Sequence, residues 1–135
     1  MSEHLPANIL IAEDYDDNRE LLRLLLSAVG YVISEARDGN ECLELARSNP
    51  PDLILVDLSM PGLDGWAVFR ELRAHESTLH IPCIAITAHT DRHRARALEM
   101  GFDAFVGKPF RTADMLATVE RVISRKNTAS LNASS

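Results

Sequence analysis

Short apolar runs alternate along this chain with longer segments of helical periodicity, and this alternation constrains the fold more than any other feature. Runs of strand length predict five strands, near Ile9–Ala12, Tyr31–Ala36, Leu53–Val56, Cys83–Thr87 and Ala104–Val106. Continuous apolar strands separated by helices are typical of repeated βα units, in which helices cover both faces of a parallel sheet. We therefore predict an α/β fold with a doubly wound parallel sheet.

The helical segments carry their own start and stop signals. Asp17 with Glu20, and Asp38 with Glu41, have the spacing of an acidic capping box. Gly30 is placed to end the first helix. The apolar stripe predicted for that helix consists of Leu21, Leu22, Leu25 and Val29.

The last helix is predicted to start near Thr112, and its end sets the predicted domain limits. Its apolar face would consist of Leu116, Val119, Val122 and Ile123. We expect an N-terminal extension at 1–6, one domain at 7–125 and a disordered polar tail at 126–135, with no output domain attached.

Size and charge exclude several function classes. The chain has 135 residues, of which 46% are hydrophobic and 25% charged, as expected for one soluble globular domain. Its formal net charge of -6 argues against direct DNA binding and against attraction to anionic membranes. No run reaches membrane-spanning length, and no export signal is visible.

Two smaller features have simple structural readings. Cys42 and Cys83 lack the paired spacing of a zinc site, so we expect reduced thiols in a cytoplasmic protein. The basic segment Arg92–Arg94, with Arg96, is interpreted as a solvated helix face, although it leaves an acidic protein partner open. Trp66 is predicted to pack near the start of the third helix, close to Asp57.

Polar residues stand where four of the five predicted strands end. Asp57 ends an apolar run in which burial calls for no carboxylate. Glu13 and Asp14 follow the first strand, Thr87 closes the fourth, and Lys108 follows the fifth. Because ligand sites of open parallel sheets form beyond the carboxyl ends of the strands, we expect these side chains to lie close together.

The residue types at these ends suggest phosphoryl chemistry. Three carboxylates brought together repel one another and call for a cation among them. Oxygen ligands favour a hard ion, so we predict Mg²⁺, with Mn²⁺ as a substitute. A carboxylate can act as a nucleophile toward phosphorus, and Lys108 and Thr87 would then neutralise charge on the phosphoryl oxygens.

The set of motifs resembles the receiver domain of two-component response regulators over about Ala7 to Ser124. The resemblance lies in Glu13–Asp14, in the segment 57–65 (DLSMPGLDG), in Thr87–Ala88 and in Lys108–Phe110. It implies a flavodoxin-like sheet of five strands in the order 2-1-3-4-5 with five helices. It also implies a single-domain response regulator of phosphorelay signalling, which is not expected to turn over a substrate.

The resemblance further implies a role for each matched residue. Asp57 would accept a phosphoryl group from the phosphohistidine of a histidine kinase or phosphotransfer protein. Mg²⁺ would be held by Asp14, Asp57 and the backbone carbonyl of Ser59, with Glu13 reaching it directly or through water. Lys108 would pair with Asp57 and then with the phosphoryl group, next to a cis peptide bond at Pro109.

Other matched positions concern the response to phosphorylation. Thr87 would move toward the phosphoryl group while the aromatic ring of Phe105 turns inward, altering the surface of the fourth helix, fifth strand and fifth helix. Ser59 and His89 lie where family members tune the lifetime of the phosphoryl group. Glu13 departs from the family pattern by replacing an Asp, and Phe105 lacks a phenolic oxygen, so any switch there works by packing.

Other functions remain open at this point. One is a non-phosphorylated adaptor of the same fold. Another is an Asp-nucleophile phosphatase of the haloacid dehalogenase type, although that family carries its nucleophile at the first strand. A flavodoxin-like cofactor binder would need a Gly-rich or Ser/Thr-rich phosphate loop, whereas the first loop here is acidic. We expect a monomer or weak dimer.

Overall fold

The computed structural model describes residues 6–134, and within that range five strands alternate with five helices. In chain order the elements are β1 (Asn8–Ala12), α1 (Asp16–Ser27), β2 (Val32–Ala36), α2 (Gly39–Ser48), β3 (Leu53–Asp57), α3 (Gly65–Arg73), β4 (Cys83–Thr87), α4 (Thr90–Met100), β5 (Ala104–Gly107) and α5 (Thr112–Ser134). All neighbouring strands pair in parallel, in the order β2-β1-β3-β4-β5. The predicted flavodoxin-like fold, its strand order and its five helices are confirmed.

The central strand β3 is buried on both faces of the sheet. Leu53 and Leu55 point to the side covered by α1 and α5, whereas Ile54 and Val56 point to the side covered by α2, α3 and α4. A shift of the strand by one residue would exchange the two sets of side chains between differently shaped cores. This burial therefore fixes the register that delivers Asp57 to the end of the strand.

The predicted cap of α2 is largely correct. The Asp38 carboxylate accepts a hydrogen bond from the Glu41 N–H at 2.8 Å, as in a capping box. The Glu41 carboxylate, however, accepts from the N–H of Arg37 at 2.7 Å. The reciprocal bond thus reaches one residue further back than the usual motif.

The prediction for the start of α1 was wrong, and that for its apolar stripe was correct only for Leu22 and Leu25. The helix begins at Asp16 without a side-chain cap, so Asp17 and Glu20 form no capping box. Leu22 and Leu26 are buried, whereas two residues of the predicted stripe, Leu21 and Val29, are more than half exposed. Leucines occupy five of the six positions from 21 to 26, so the apolar period alone does not distinguish the buried face.

Helix α5 has the predicted apolar side but a different end. Val119 and Val122 are buried, and Leu116 and Ile123 pack against them. The helix continues to Ser134, and residues 126–134 contain no Gly or Pro that would stop it. The predicted domain limits, with a disordered tail from 126, stay a prediction. The predicted extension at 1–6 lies almost entirely outside the described residues.

The two cysteines are core residues. Cys42 and Cys83 are free thiols without exposed surface, and burial raises the pKa of each to about 12. A thiol with so high a pKa is a poor nucleophile and a poor metal ligand at neutral pH. In the described part of the chain, no helix has the length and apolarity needed to cross a bilayer.

Candidate functional site

Backbone hydrogen bonds extend the sheet just beyond its strands and thereby place the functional side chains. The N–H of Glu13 donates to the carbonyl of Ala36 at 3.1 Å, and the N–H of Lys108 donates to the carbonyl of Thr87 at 2.8 Å. Asp57 is the last residue of β3, between these two positions in the sheet. All of these side chains therefore start from ordered backbone at one edge of the sheet.

Lys108 joins two buried carboxylates at this edge. Its Nζ lies 3.0 Å from Oε1 of Glu13 and 3.0 Å from Oδ2 of Asp57. The other oxygens are also bonded: Asp57 Oδ1 accepts from the Ser59 N–H at 3.0 Å, and Glu13 Oε2 accepts from the Tyr15 N–H at 3.1 Å. With 4% of Asp57 exposed, these bonds fix the direction of its carboxylate.

Three carboxylates form a potential metal site beside this lysine. Glu13, Asp14 and Asp57 each offer an oxygen, and these oxygens lie within 4.8 Å of one another. Lys108 supplies one positive charge against three potential negative charges, so the cluster favours a further cation. The donors are all hard oxygen atoms, which fits Mg²⁺.

The pKa values of Glu13 and Lys108 are both raised by their surroundings in this cluster. Burial, together with the neighbouring Asp57 carboxyl, raises the pKa of Glu13 to about 7, although the hydrogen bonds from Lys108 and the Tyr15 N–H oppose the rise. For Lys108, burial lowers the pKa, but the hydrogen bonds and charges of Glu13 and Asp57 outweigh it, so the net pKa is raised. Lys108 therefore stays protonated at neutral pH.

The loop after Asp57 is held against the start of α3. The Asp64 carboxylate caps the helix by accepting from the Ala67 N–H at 2.9 Å. A Cβ atom on Gly65 would lie 2.5 Å from the backbone oxygen of Asp57 and 2.7 Å from Cα of Leu58. Because no real Cβ approaches backbone so closely, only glycine allows α3 to pack this near Asp57.

Arg19 supports the acidic loop, and sequence reasoning did not find it. Its Nη1 donates to the backbone carbonyl of Glu13 at 2.9 Å, and its Nε lies 3.4 Å from Oε1 of Glu35. A further ion pair joins it to Asp16. The available signal was an arginine one and a half helical turns beyond the acidic pair, a spacing that many solvated arginines share.

The Thr87 hydroxyl is fully buried and has two partners. It accepts from the N–H of His89 at 3.1 Å, and it lies 3.1 Å from Nδ1 of His93. The contact with His93 was not foreseen, because the periodicity of α4 gave no reason to separate His93 from its basic neighbours.

The interpretation of the basic segment as a solvated helix face holds for Arg92, Arg94 and Arg96, which are exposed, but was wrong for His93, which is half buried. The His93 ring meets the ring of Trp66 edge to face, with centroids 5.3 Å apart. The Arg96 guanidinium lies 4.3 Å above the same Trp66 ring. Trp66 is 7% exposed in the first turn of α3, as predicted, and it offers these residues an aromatic surface.

The remaining predicted site residues occupy the surroundings of this cluster. Phe105 is half buried and packs against the core beneath α2, α3 and α4. Ser59 and His89 are exposed, and the Lys108–Pro109 peptide bond is cis. The structure thus gathers the predicted residues around one edge of the sheet. Phe105 lies slightly further from that edge, within β5 and two residues before its end.

Residues 9–120 match the family model described as the response regulator receiver domain. This chain belongs to the receiver domain family. Receivers work in two-component phosphorelay signalling, where they interact with histidine kinases or phosphotransfer proteins. Phosphorylation and Mg²⁺ binding are typical of the family.

Curated relatives include receivers of different overall length. The polar-differentiation response regulator DivK of Brucella anthropi is 36% identical over 119 residues, which cover 86% of this chain and 95% of DivK. The response regulator PleD of Caulobacter vibrioides is 40% identical over 116 residues, or 85% of this chain and 26% of PleD. The chain spans about half the length of other relatives, such as the probable transcriptional regulator ycf27 of Porphyridium aerugineum, with 37% identity over 92% of the chain and 51% of ycf27.

Solved receiver structures superimpose closely on this one. A response regulator from Chloroflexus aurantiacus has a TM-score of 0.84 with 30% identity, covering 88% of this chain and 98% of its own. The receiver domain of the sensor histidine kinase PA1611 from Pseudomonas aeruginosa has a TM-score of 0.82 with 32% identity and the same coverage. That receiver is described with a magnesium ion in its active-site cleft. These matches favour the receiver interpretation over the phosphatase and flavodoxin alternatives.

Proposed function

We propose that this receiver accepts a phosphoryl group on Asp57 from the phosphohistidine of a histidine kinase or phosphotransfer protein. The observation that carries the proposal is the position of Lys108 Nζ, 3.0 Å from both Asp57 and Glu13 at an edge that also holds Asp14. A buried carboxylate with a fixed cation and two further acidic groups is suited to a metal-assisted phosphoryl acceptor.

The transfer step uses the carboxylate of Asp57 as nucleophile. A carboxylate oxygen forms a bond to phosphorus while the P–N bond of the phosphohistidine breaks, and the electron pair leaves with the imidazole, which takes a proton from solvent. Lys108 and the Thr87 hydroxyl neutralise charge on the phosphoryl oxygens. Asp14, Asp57 and the backbone carbonyl of Ser59, with Glu13 direct or through water, would hold Mg²⁺, which would supply further neutralisation of that charge.

A cleft beside Lys108 provides an approach for the donor protein. It has a volume of about 320 Å³, and Glu13, Lys108 and Phe110 are among its lining residues. Leu21 also lines it and is 52% exposed on α1, where Leu24 is 53% exposed. Exposed leucines next to a charged site suit a partner that buries an apolar surface around the transferring group.

The response to phosphorylation is expected on the face formed by α4, β5 and α5. Phe105 is half buried on β5, where it can change its packing without breaking a hydrogen bond. Ser59 and His89 are exposed beside Asp57 and Thr87, where they can influence the access of water to the phosphoryl group. The receiver would act as a cytoplasmic monomer or weak dimer without direct DNA binding, and it would turn over no free substrate.

Mass spectrometry of the intact protein tests the proposal. Incubation with Mg²⁺ and a small phosphodonor should add one phosphoryl group, and Asp57→Asn should abolish the addition. Asp52→Asn is the matched control, because Asp52 precedes the opposite end of the same strand and pairs there with Lys126 at 3.2 Å. An unlabelled wild type would contradict phosphoacceptance and favour the non-phosphorylated adaptor.

A further inference from the structure

A residue of α4 forms a hydrogen bond with the Thr87 hydroxyl and so directs it away from the proposed phosphoryl site. Thr87 has no exposed surface, and its Oγ1 lies 3.1 Å from Nδ1 of His93. One lone pair of the same oxygen is already used, because Oγ1 accepts from the N–H of His89 at 3.1 Å. The hydroxyl therefore has a single proton to direct toward one further acceptor.

The two acceptors for that proton exclude each other. A phosphoryl oxygen carries no proton, so Thr87 must donate to it. A neutral imidazole also accepts on one nitrogen, and burial, with the nearby His89, Arg92 and Arg96, lowers the pKa of His93 and favours that neutral form. Thr87 cannot donate to His93 and to a phosphoryl oxygen at the same time.

The orientation of His93 is set by a neighbouring helix. Its ring stands at 90° to the ring of Trp66 on α3, and the Arg96 guanidinium lies over that tryptophan. The His89 ring contacts His93 from the start of α4, with centroids 5.4 Å apart. These contacts hold Nδ1 of His93 toward Thr87, so the bond does not depend on a freely rotating side chain.

We infer that His93 is a positioning residue whose Nδ1 accepts a hydrogen bond from the Thr87 hydroxyl and so opposes the phosphorylated state. The inference rests on the proposed function of Asp57 and adds a competitor for the hydroxyl that the phosphoryl group needs. When the Thr87 hydroxyl turns to the phosphoryl group, His93 loses its hydrogen-bond partner, and α4 thereby loses a hydrogen bond to β4. Breaking this bond therefore couples the chemistry at Asp57 to the position of α4.

The affinity of the protein for beryllium fluoride, a phosphoryl analogue, tests this role in the presence of Mg²⁺. His93→Phe keeps a ring against Trp66 but removes the acceptor, so we expect binding to tighten roughly two- to tenfold, the effect of one hydrogen bond. His93→Asn places an oxygen close to the position of Nδ1 and should stay near the wild-type affinity. In a Thr87→Val background, His93→Phe should have no effect, because no proton remains to be shared.

Ring ¹⁵N chemical shifts of wild-type His93 give a second readout that needs no variant. We expect the proton on Nε2, with Nδ1 unprotonated, before the analogue is added. Unchanged affinity in His93→Phe, an equal gain in the Thr87→Val background, or a proton on Nδ1 would each overturn the inference while leaving Asp57 as acceptor. Absence of any Mg²⁺-dependent binding to wild type would overturn the proposed function as well.

Discussion

The site has two halves that are held together by different forces. The acceptor half consists of Glu13, Asp57 and Lys108 with the loop to α3, and it is fixed by buried ion pairs of 3.0 Å. The switch half consists of Thr87 and Phe105 with α4, and it is held by uncharged hydrogen bonds and aromatic contacts.

The helices next to the two halves differ in how much of their surface is buried: α3, beside the acceptor half, is more buried than α4 in the switch half. Within the described residues, α4 buries one of its 11 residues, Ala97, whereas α3 buries five of nine, four of them with a side chain beyond Cα. The apolar area that a helix buries provides most of its stability in a folded protein, so α4 is the easier of the two to displace. The proposed chemistry at Asp57 therefore lies next to a well-packed helix, whereas the proposed response lies on a helix with little buried surface.

Removal of the central cation is expected to have the largest effect on the acceptor half. Lys108→Ala takes away the group that neutralises Asp57 and the arriving phosphoryl group, so the labelling rate should fall about 10²- to 10³-fold. Lys126→Ala is the matched control, since Lys126 also forms an ion pair but at the other end of β3. A loss of less than about threefold in Lys108→Ala would mean that this half does not depend on its ion pairs.

Sequence alone predicted the parallel sheet and the proximity of Glu13, Asp57 and Lys108 at one edge of it, and the reasons are physical. The three central strands are mainly apolar runs, and residues such as Asp57 and Lys108 come to the same carboxyl edge once the sheet is parallel. The side-chain contacts of His93 and Arg19 were missed because they depend on how α4 and α1 rotate against neighbouring elements. In α1, leucines on several faces left that rotation undetermined by the apolar period.

Substituting Gly65 with a larger residue should disturb the packing of the acceptor half by a steric collision, without any change of charge. In Gly65→Ala the new Cβ would collide with the backbone of Asp57 and Leu58, so the free energy of unfolding should fall by about 1 to 3 kcal/mol. Labelling should slow as well, because the loop that orients Asp57 must shift. Urea denaturation measures the first effect and intact-mass kinetics the second.

The matched control for Gly65 is another glycine with a different constraint. A Cβ on Gly30 meets nothing within 4 Å, although its φ of 103° strains any other residue. Gly30→Ala should therefore destabilise the protein without slowing phosphorylation. Equal labelling rates in the two variants would show that close packing of α3 is unimportant for Asp57.

The different attachment of α3 and α4 should appear in amide hydrogen exchange. We expect amides of α4 to exchange at least about tenfold faster than those of α3, because fewer buried contacts oppose local opening. Addition of Mg²⁺ and beryllium fluoride should change the exchange of α4 more than that of α3. Equal protection of the two helices, or a larger response in α3, would remove the distinction between the halves.

The smallest expected effect concerns the proton on Glu13, which links the acceptor half to pH. Folding raises the pKa of this residue from 4.5 to about 7, so between these values the folded state binds the proton more tightly than the unfolded state does. The resulting stabilisation is complete below about pH 4.5 and is lost as the pH rises through about 7.

Mg²⁺ needs the ionised carboxylate of Glu13, so it should raise Tm more at pH 8 than at pH 5.5, by about 3 to 6 °C. Glu13→Gln, which cannot ionise, should lose most of this pH dependence; a Mg²⁺ effect that is the same at both pH values in wild type would mean that Glu13 takes no part in holding the metal.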